Sequence, residues 1–179
     1  AQGFIETDVL LLAASLDQGS EHPLATAIVS AARERGLALE SVTDFESSTG
    51  IGVQGIVATK KLALGNTALM TQLGVLTATL ATQAEELRQQ GASVMFLAVD
   101  KQLAGLLAVA DPIKRTTIAA LQSLKDNNIR VIMATGDGLT TAKFVGQSLG
   151  TTEIYGEVKP ADKLALVERL QREGHCVAM

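Results

Sequence analysis

A chain of 179 residues is long enough for one large domain or two small ones, and a hydrophobic share of 47% supplies a sizeable core. Aromatics are only 3%, tryptophan is absent and the net charge is −4 with no basic run, a balance that weighs against base stacking and against a nucleic-acid partner. The single cysteine, Cys176, rules out a disulfide framework, and no apolar run approaches the ~18 residues of a membrane span.

In chain order, Thr7-Asp8 starts a helix whose apolar face is Val9, Leu10, Leu12, Ala13 and Leu16, and Asp17 to Glu21 read as a loop. Pro23 suits a first helical position, so His22-Pro23-Leu24 opens a second helix that runs to Arg35 and is capped by Gly36. Residues 43–66 read as strands, with a turn at Lys60-Lys61. Thr67 to Gly74 is a short helix and Thr79 to Gln90 a longer one closed by Gly91. Ser93 to Val99 and Gln102 to Ala110 pair through a tight turn at Asp100-Lys101.

The texture changes at Asp111-Pro112. Arg115 to Asp126 is an amphipathic helix with Ile118, Leu121 and Leu124 expected inward. Ile129 to Ala134 reads as a buried strand, Thr140 to Leu149 as a helix, Glu153 to Val158 as a strand, Lys163 to Glu173 as a helix and His175 to Met179 as the start of a strand. This half alternates strand and helix as a parallel α/β layer does, and the first half does not. The division expected is 1–110 and 111–179, with a hinge near Asp111. The chain begins at Ala1 and stops inside an apolar run, which reads as an excised piece of a longer protein.

Gly50, Gly52 and Gly55 spell G-x-G-x-x-G, the fingerprint of a dinucleotide-binding turn. That turn needs a helix opening inside the motif and an acidic residue ~20 positions on. Here Val53 to Thr59 are β-branched and alternate, and no Asp or Glu occurs between Glu46 and Glu85. The glycines therefore sit at a strand, either as a tolerant hairpin or as backbone brought close to another phosphate.

Three stretches could carry chemistry. His22 precedes a helix N-terminus, where backbone N–H groups favour anions, although a lone histidine there is ordinarily a surface or capping residue. Thr135-Gly136-Asp137 ends a strand, where α/β layers bind ligands; Thr135 offers a hydroxyl and Gly136 a close backbone approach. Lys163, at a helix start after a strand, could reach a phosphate as a point charge. Thr135 and Lys163 together stand as the second and third motifs of the haloacid-dehalogenase fold, where a Thr or Ser and a Lys hold a phosphoryl group.

Ser20-Glu21-His22-Pro23-Leu24, Gly50-Ile51-Gly52, Gly65-Asn66, Asp111-Pro112-Ile113-Lys114, Thr135-Gly136-Asp137 and Pro160-Ala161-Asp162-Lys163 come in an order that resembles the heavy-metal P-type ATPases, most of all the copper(I)/silver(I)-transporting group. The resemblance covers essentially the whole chain. It implies an α/β fold in two parts: a nucleotide-binding domain, residues 1–110, with an antiparallel sheet flanked by helices, and an incomplete haloacid-dehalogenase-like phosphorylation domain, residues 111–179. By that resemblance His22 orients ATP, Glu21 stands beside it, Gly50 and Gly52 let the nucleotide lie close to the backbone, and Asn66 lies by the ribose. Thr135, Gly136 and Asp137 match the segment that receives the γ-phosphate, Lys163 the lysine that steadies it, and Asp111 and Lys114 the hinge pair. The implied cofactor is ATP, with Mg²⁺ in the intact pump. The implied partners are ATP or ADP and the pump's own actuator and membrane domains. The implied setting is the cytosolic side of an integral membrane protein of the plasma or inner membrane, and no metal ligand of this chain is expected.

The departures from the family pattern are specific. The phosphorylated D-K-T-G-T and the Mg²⁺-holding G-D-G-x-N-D are absent, so the fragment alone is expected to be inactive. A family glutamate that contacts adenine, five residues before the histidine, is Asp17 here, which makes Asp17 the matching nucleotide-binding candidate; the usual asparagine after T-G-D is Gly138, and P-E-D-K is Pro160-Ala161-Asp162-Lys163. A zinc, cadmium or lead pump, or a free-standing nucleotide-binding module, are the alternative readings.

Overall fold

The computed structural model describes residues 3–110 and 113–179. The expected hinge residues Asp111 and Pro112 lie outside the described residues. Contacts divide the chain into two compact units, one of Ala1–Leu87 with Ala92–Ala110, the other of Arg88–Gly91 with Asp111–Met179.

The first unit opens with α1 (Glu6–Asp17) and α2 (Pro23–Glu34). Asp17, read as loop from the sequence, is the last residue of α1. Alternating β-branched residues then build β1 (Val42–Ser48), β2 (Gly52–Val57) and β3 (Lys60–Gly65), followed by α3 (Thr67–Gln72), α4 (Ala78–Gln89), β4 (Ser93–Val99) and β5 (Gln102–Val109). The five strands form one antiparallel sheet in chain order. Because side chains alternate across a strand, the sheet feeds two cores. Leu62, Leu64, Leu97 and Val99 face α1 and α2, with Leu16 and Ile28 among the helix residues there. Ala63, Val94, Phe96 and Ala98 face the other side, against Leu69, Met70 and Ala84 of α3 and α4.

The β2–β3 turn is Ala58-Thr59, both at positive φ (48° and 68°), and Val57 pairs with Lys60. This corrects the expected turn at Lys60-Lys61. Polar lysines suggested a bend, but the register that keeps Leu62 and Leu64 on one core face places the bend two residues earlier. Asp100-Lys101 turns as expected, at φ 49° and 64°.

The second unit contains α5 (Arg115–Asp126), β6 (Ile132–Ala134), α6 (Leu139–Ser148), β7 (Glu153–Tyr155) and α7 (Pro160–Arg172). β6 and β7 pair in parallel, with α6 as the connection between them. The mixed α/β architecture expected from the sequence is thus present: an antiparallel sheet with flanking helices, then a short parallel layer. Four expectations are corrected. α5 buries no residue; Ile118 is 57% exposed and Leu124 38%, because no described element covers that face. β6 is shorter than read and half-buried, with Ile129 outside it. β7 stops at Tyr155 rather than Val158. His175–Met179 forms no strand, having no described neighbour to pair with. No described helix is long and apolar enough to cross a membrane.

Candidate functional site

Three of the candidate residues of the first unit lie on the connection from α1 to α2. The Asp17 carbonyl accepts from the Ser20 N–H at 3.0 Å, the Ser20 hydroxyl oxygen accepts from the His22 N–H at 3.2 Å, and His22 Nδ1 accepts from the Leu24 N–H at 3.2 Å. His22 is therefore the N-cap of α2, with Pro23 at the first helical position. Capping through Nδ1 has a chemical consequence. In the neutral ring the proton must sit on Nε2, which faces outward as a donor. Glu21 is exposed.

The connection is pinned from below. Gly19 lies on the Phe45 ring of β1, so that a Cβ there would meet the ring at 2.8 Å. Gln18 Nε2 donates to the Glu40 carbonyl at 2.8 Å, and the Ser15 hydroxyl oxygen accepts from the Glu40 N–H at 3.0 Å. Asp17 is only 5% exposed, yet its carboxylate takes no hydrogen bond from a described residue. Neither of its oxygens is sealed from solvent either. Burial without a partner disfavours the charged form and pushes the carboxyl up to about 6.

The glycines and Asn66 form a second group. Gly50 closes the turn after β1, where the Ile51 N–H donates to the Ser48 carbonyl at 3.0 Å. Its φ is +72°, and a Cβ there would meet nothing within 4 Å, so the backbone at Gly50 faces open space. Gly52 differs. A Cβ on it would fall 2.3 Å from the Leu64 carbonyl oxygen and 2.8 Å from Leu69, so its missing side chain serves the close approach of β2, β3 and α3. Asn66 is also engaged within the protein. Its Oδ1 caps α3 through the Leu69 N–H at 3.1 Å, and its Nδ2 donates to the Gly50 carbonyl at 2.9 Å. It fixes the turn that carries Gly50. No helix opens among these glycines, as the strand reading of G-x-G-x-x-G required.

In the second unit Thr135 directly follows β6, and Lys163 lies in the first turns of α7, after β7. The loops after these two parallel strands are tied together. The Val158 N–H donates to the Thr135 carbonyl at 2.9 Å, and the Glu157 N–H to the Asp137 carbonyl at 2.7 Å. The Thr135 hydroxyl donates to Asp137 Oδ2 at 2.6 Å and accepts from the Asp137 N–H at 3.1 Å. Asp137 thus holds the Thr135 hydroxyl in place. Gly136 is exposed with ordinary room around it, leaving its backbone approachable. Lys163 is half-buried, and its ammonium is bound by no described residue. Asp162 bonds back to the Lys159 N–H at 3.0 Å and closes the start of α7. Among the described residues no three His, Cys, Asp or Glu side chains gather as metal ligands.

Sequence reading missed Ser20, whose hydroxyl orients the His22 backbone; a serine two residues before the capping histidine was the available signal. It also missed Phe45 and Glu40, which hold the connection in place from elements distant in the chain and leave no local mark.

The haloacid dehalogenase-like hydrolase family matches residues 2–179. A copper-transporting P-type ATPase of Rhizobium leguminosarum bv. viciae is 51% identical over 97% of this chain, which spans 21% of that relative's length. A silver-exporting P-type ATPase of Salmonella typhimurium is 40% identical over 97% of this chain, again 21% of its own length. The chain thus corresponds to about a fifth of these relatives. Among solved structures, the catalytic domain of the CPx-ATPase CopB-B superposes with a TM-score of 0.64 at 23% identity, over 95% of this chain and 60% of that one, and shares the fold. The N-domain of HMA6, a copper-transporting P-type ATPase, is 30% identical with a TM-score of 0.50 over 59% of this chain and 88% of its own. The chain belongs to the haloacid dehalogenase-like hydrolases, and the relatives it is similar to are P-type ATPases that transport copper or silver.

Proposed function

We propose that this chain is the ATP-binding cytosolic part of a P-type ATPase that exports Cu(I) or Ag(I). Residues 1–110 serve as its nucleotide-binding domain and 111–179 as part of its phosphorylation domain. The observation that carries the reading is the pairing of a buried carboxylate that takes no hydrogen bond from any described residue, Asp17, with a histidine five residues on whose Nε2–H is left outward by its capping role. An acceptor and a donor held on one pinned connection suit a heteroaromatic base with donor and acceptor edges. Gly50, facing open space, allows close backbone approach. The likeness to an N-domain over 59% of the chain supports the first boundary.

Thr135, Gly136 and Lys163 take the terminal phosphate in this reading. The Thr135 hydroxyl turns its proton from Asp137 to a phosphate oxygen, and the Lys163 ammonium balances charge. Mg²⁺ accompanies ATP in phosphoryl transfer, but no described residues fit it as a ligand set, and no step of this chain runs through it. The aspartate that is phosphorylated lies outside the chain, so ATP should bind without hydrolysis. The actuator and membrane domains of the same pump are the partners, and the transported metal is chosen there.

Calorimetric titration with ATP at pH 7.5 tests the reading. Wild type should bind, and His22→Gln should bind several-fold more weakly while staying folded, its stability lowered by about 1 kcal/mol through loss of the Nδ1 cap on α2. Equal affinity in both proteins, or none in either, overturns the assignment of the site.

A further inference from the structure

Gly55 is the third glycine of G-x-G-x-x-G, and neither the open turn at Gly50 nor the close approach at Gly52 accounts for it. It stands in β2 at an irregularity of the sheet. Thr43 pairs with Ile56 and Glu46 with Gln54, so two residues of β1, Asp44 and Phe45, stand opposite Gly55 alone. This is a β-bulge, with Asp44 at φ +50°, a left-handed conformation that aspartate tolerates better than most residues. The bulge changes which face Phe45 serves. Val42 and Phe45 are three residues apart, and in a regular strand an odd separation sends side chains to opposite faces. Here both pack on the core that α1 and α2 cover.

The end of α1 meets the sheet beside this bulge. A Cβ on Gly55 would fall 2.9 Å from Leu16 Cδ1 and 2.8 Å from Val42 Cγ2, so the bare backbone of β2 is the seat of Leu16, which is fully buried. A Cβ on Gly19 would fall 2.8 Å from Phe45 Cγ and Cδ2 and 3.1 Å from Cδ1. Those atoms are the base of the ring, not its tip, so the ring cannot swing clear without moving β1. Beyond Gly19 the chain is linked bond by bond. Ser20 N–H donates to the Asp17 carbonyl at 3.0 Å, and the Ser20 hydroxyl oxygen accepts from the His22 N–H at 3.2 Å. A displacement of Gly19 is therefore passed through Ser20 to His22.

We propose that the β1 bulge is a positioning device for the nucleotide site: Phe45, carried under Gly19 by the bulge, and Gly55, which seats Leu16, set how far the α1–α2 connection stands above the sheet, and with it the reach of His22. This rests on the nucleotide-binding reading given above. In this role Phe45 and Gly55 act through the backbone of residues 16–22 and not by touching the ligand. A hydrogen bond from His22 that is held off its alignment loses most of its worth, about three- to tenfold in affinity.

The test is a cycle of Gly19→Ala, Phe45→Leu and the double variant, each titrated with ATP by calorimetry at pH 7.5 and each melted without nucleotide. Gly19 is exposed and not at positive φ, so the alanine meets only the ring and the variant keeps the fold. Gly19→Ala adds a methyl that lifts the connection, and Phe45→Leu removes ring volume and lets it sink. Each should weaken ATP binding about three- to tenfold. The double variant restores the filled volume and should bind within about twofold of wild type. Gly19→Ala alone carries the test if Phe45→Leu does not fold. A merely structural contact would lower the melting temperatures of the single variants and leave the ATP affinity of the folded protein at the wild-type value. That result overturns the positioning role and leaves the nucleotide site standing, as does a double variant that binds no better than either single one. Absence of ATP binding by wild type overturns the nucleotide reading and the positioning role with it.

Discussion

Helices α1 and α5 have the same length, 12 residues, and opposite fates. α1 buries eight residues, from Val9 to Asp17, between α2 and the five-stranded sheet. α5 separates its apolar and polar faces more cleanly in sequence, yet buries none. The difference teaches that amphipathic spacing states which face seeks cover and says nothing of whether cover is present. The first unit supplies a sheet with two apolar faces. The second, among the described residues, supplies two strands of three residues each.

Substitutions can break or sharpen that contrast. The largest effect belongs to the sheet core of the first unit. Phe96 is 1% exposed, and Phe96→Ala should cost about 3–5 kcal/mol by urea denaturation. A loss below about 1 kcal/mol would show that the first unit is no better packed than the second. Gly52→Ala should follow at about 3 kcal/mol, since the new methyl meets the Leu64 carbonyl oxygen and the backbone is at φ +150°. Gly50→Ala, at positive φ in open space, should cost only about 1 kcal/mol. If the two glycine variants lose equally, the assignment of Gly52 to packing and Gly50 to an open turn is wrong.

Asp17→Asn comes next, with the opposite sign. The folded-state carboxyl is raised from 3.8 to about 6, so the native protein holds a proton that the unfolded chain releases between those values. Stability from this group is then greatest below pH 4 and is lost as pH rises through 6. Without nucleotide, the asparagine variant should be more stable than wild type by roughly 2–3 kcal/mol at pH 7 and about equal to it at pH 4. Denaturation curves at the two pH values check this; a variant less stable at pH 7 would mean that the charge is compensated. The smallest effect is expected at Ile118→Ala on α5, within about 0.5 kcal/mol. A loss above 1.5 kcal/mol would mean that the face is covered in solution.

Much of the first unit was legible in the sequence because its signals are local. Pro23 after a capping residue, Gly36 after α2 and the alternating run from Val53 set element type directly. The β2–β3 turn was not legible, since Ala58 and Thr59 are not turn formers and only pairing with β3 forces them to positive φ. At the candidate site the residue types His22, Thr135 and Lys163 were visible as motifs. The burial of Asp17 was not, because an aspartate beside Gln18-Gly19-Ser20 reads as solvated loop, and the contacts that pin this connection come from Glu40 and Phe45, distant in the chain. The engagement of Asn66 was equally hidden, since the Gly50 carbonyl it holds lies 16 residues away.

The central claim is that the first unit holds the nucleotide through the α1–α2 connection and the Gly50 turn. Backbone amide shifts followed during ATP titration at pH 7.5 test it most directly. The account expects the largest changes at Asp17 to Leu24 and at Gly50 to Gly52, saturating together. Changes confined to residues 113–179, or none at the α1–α2 connection, would contradict it.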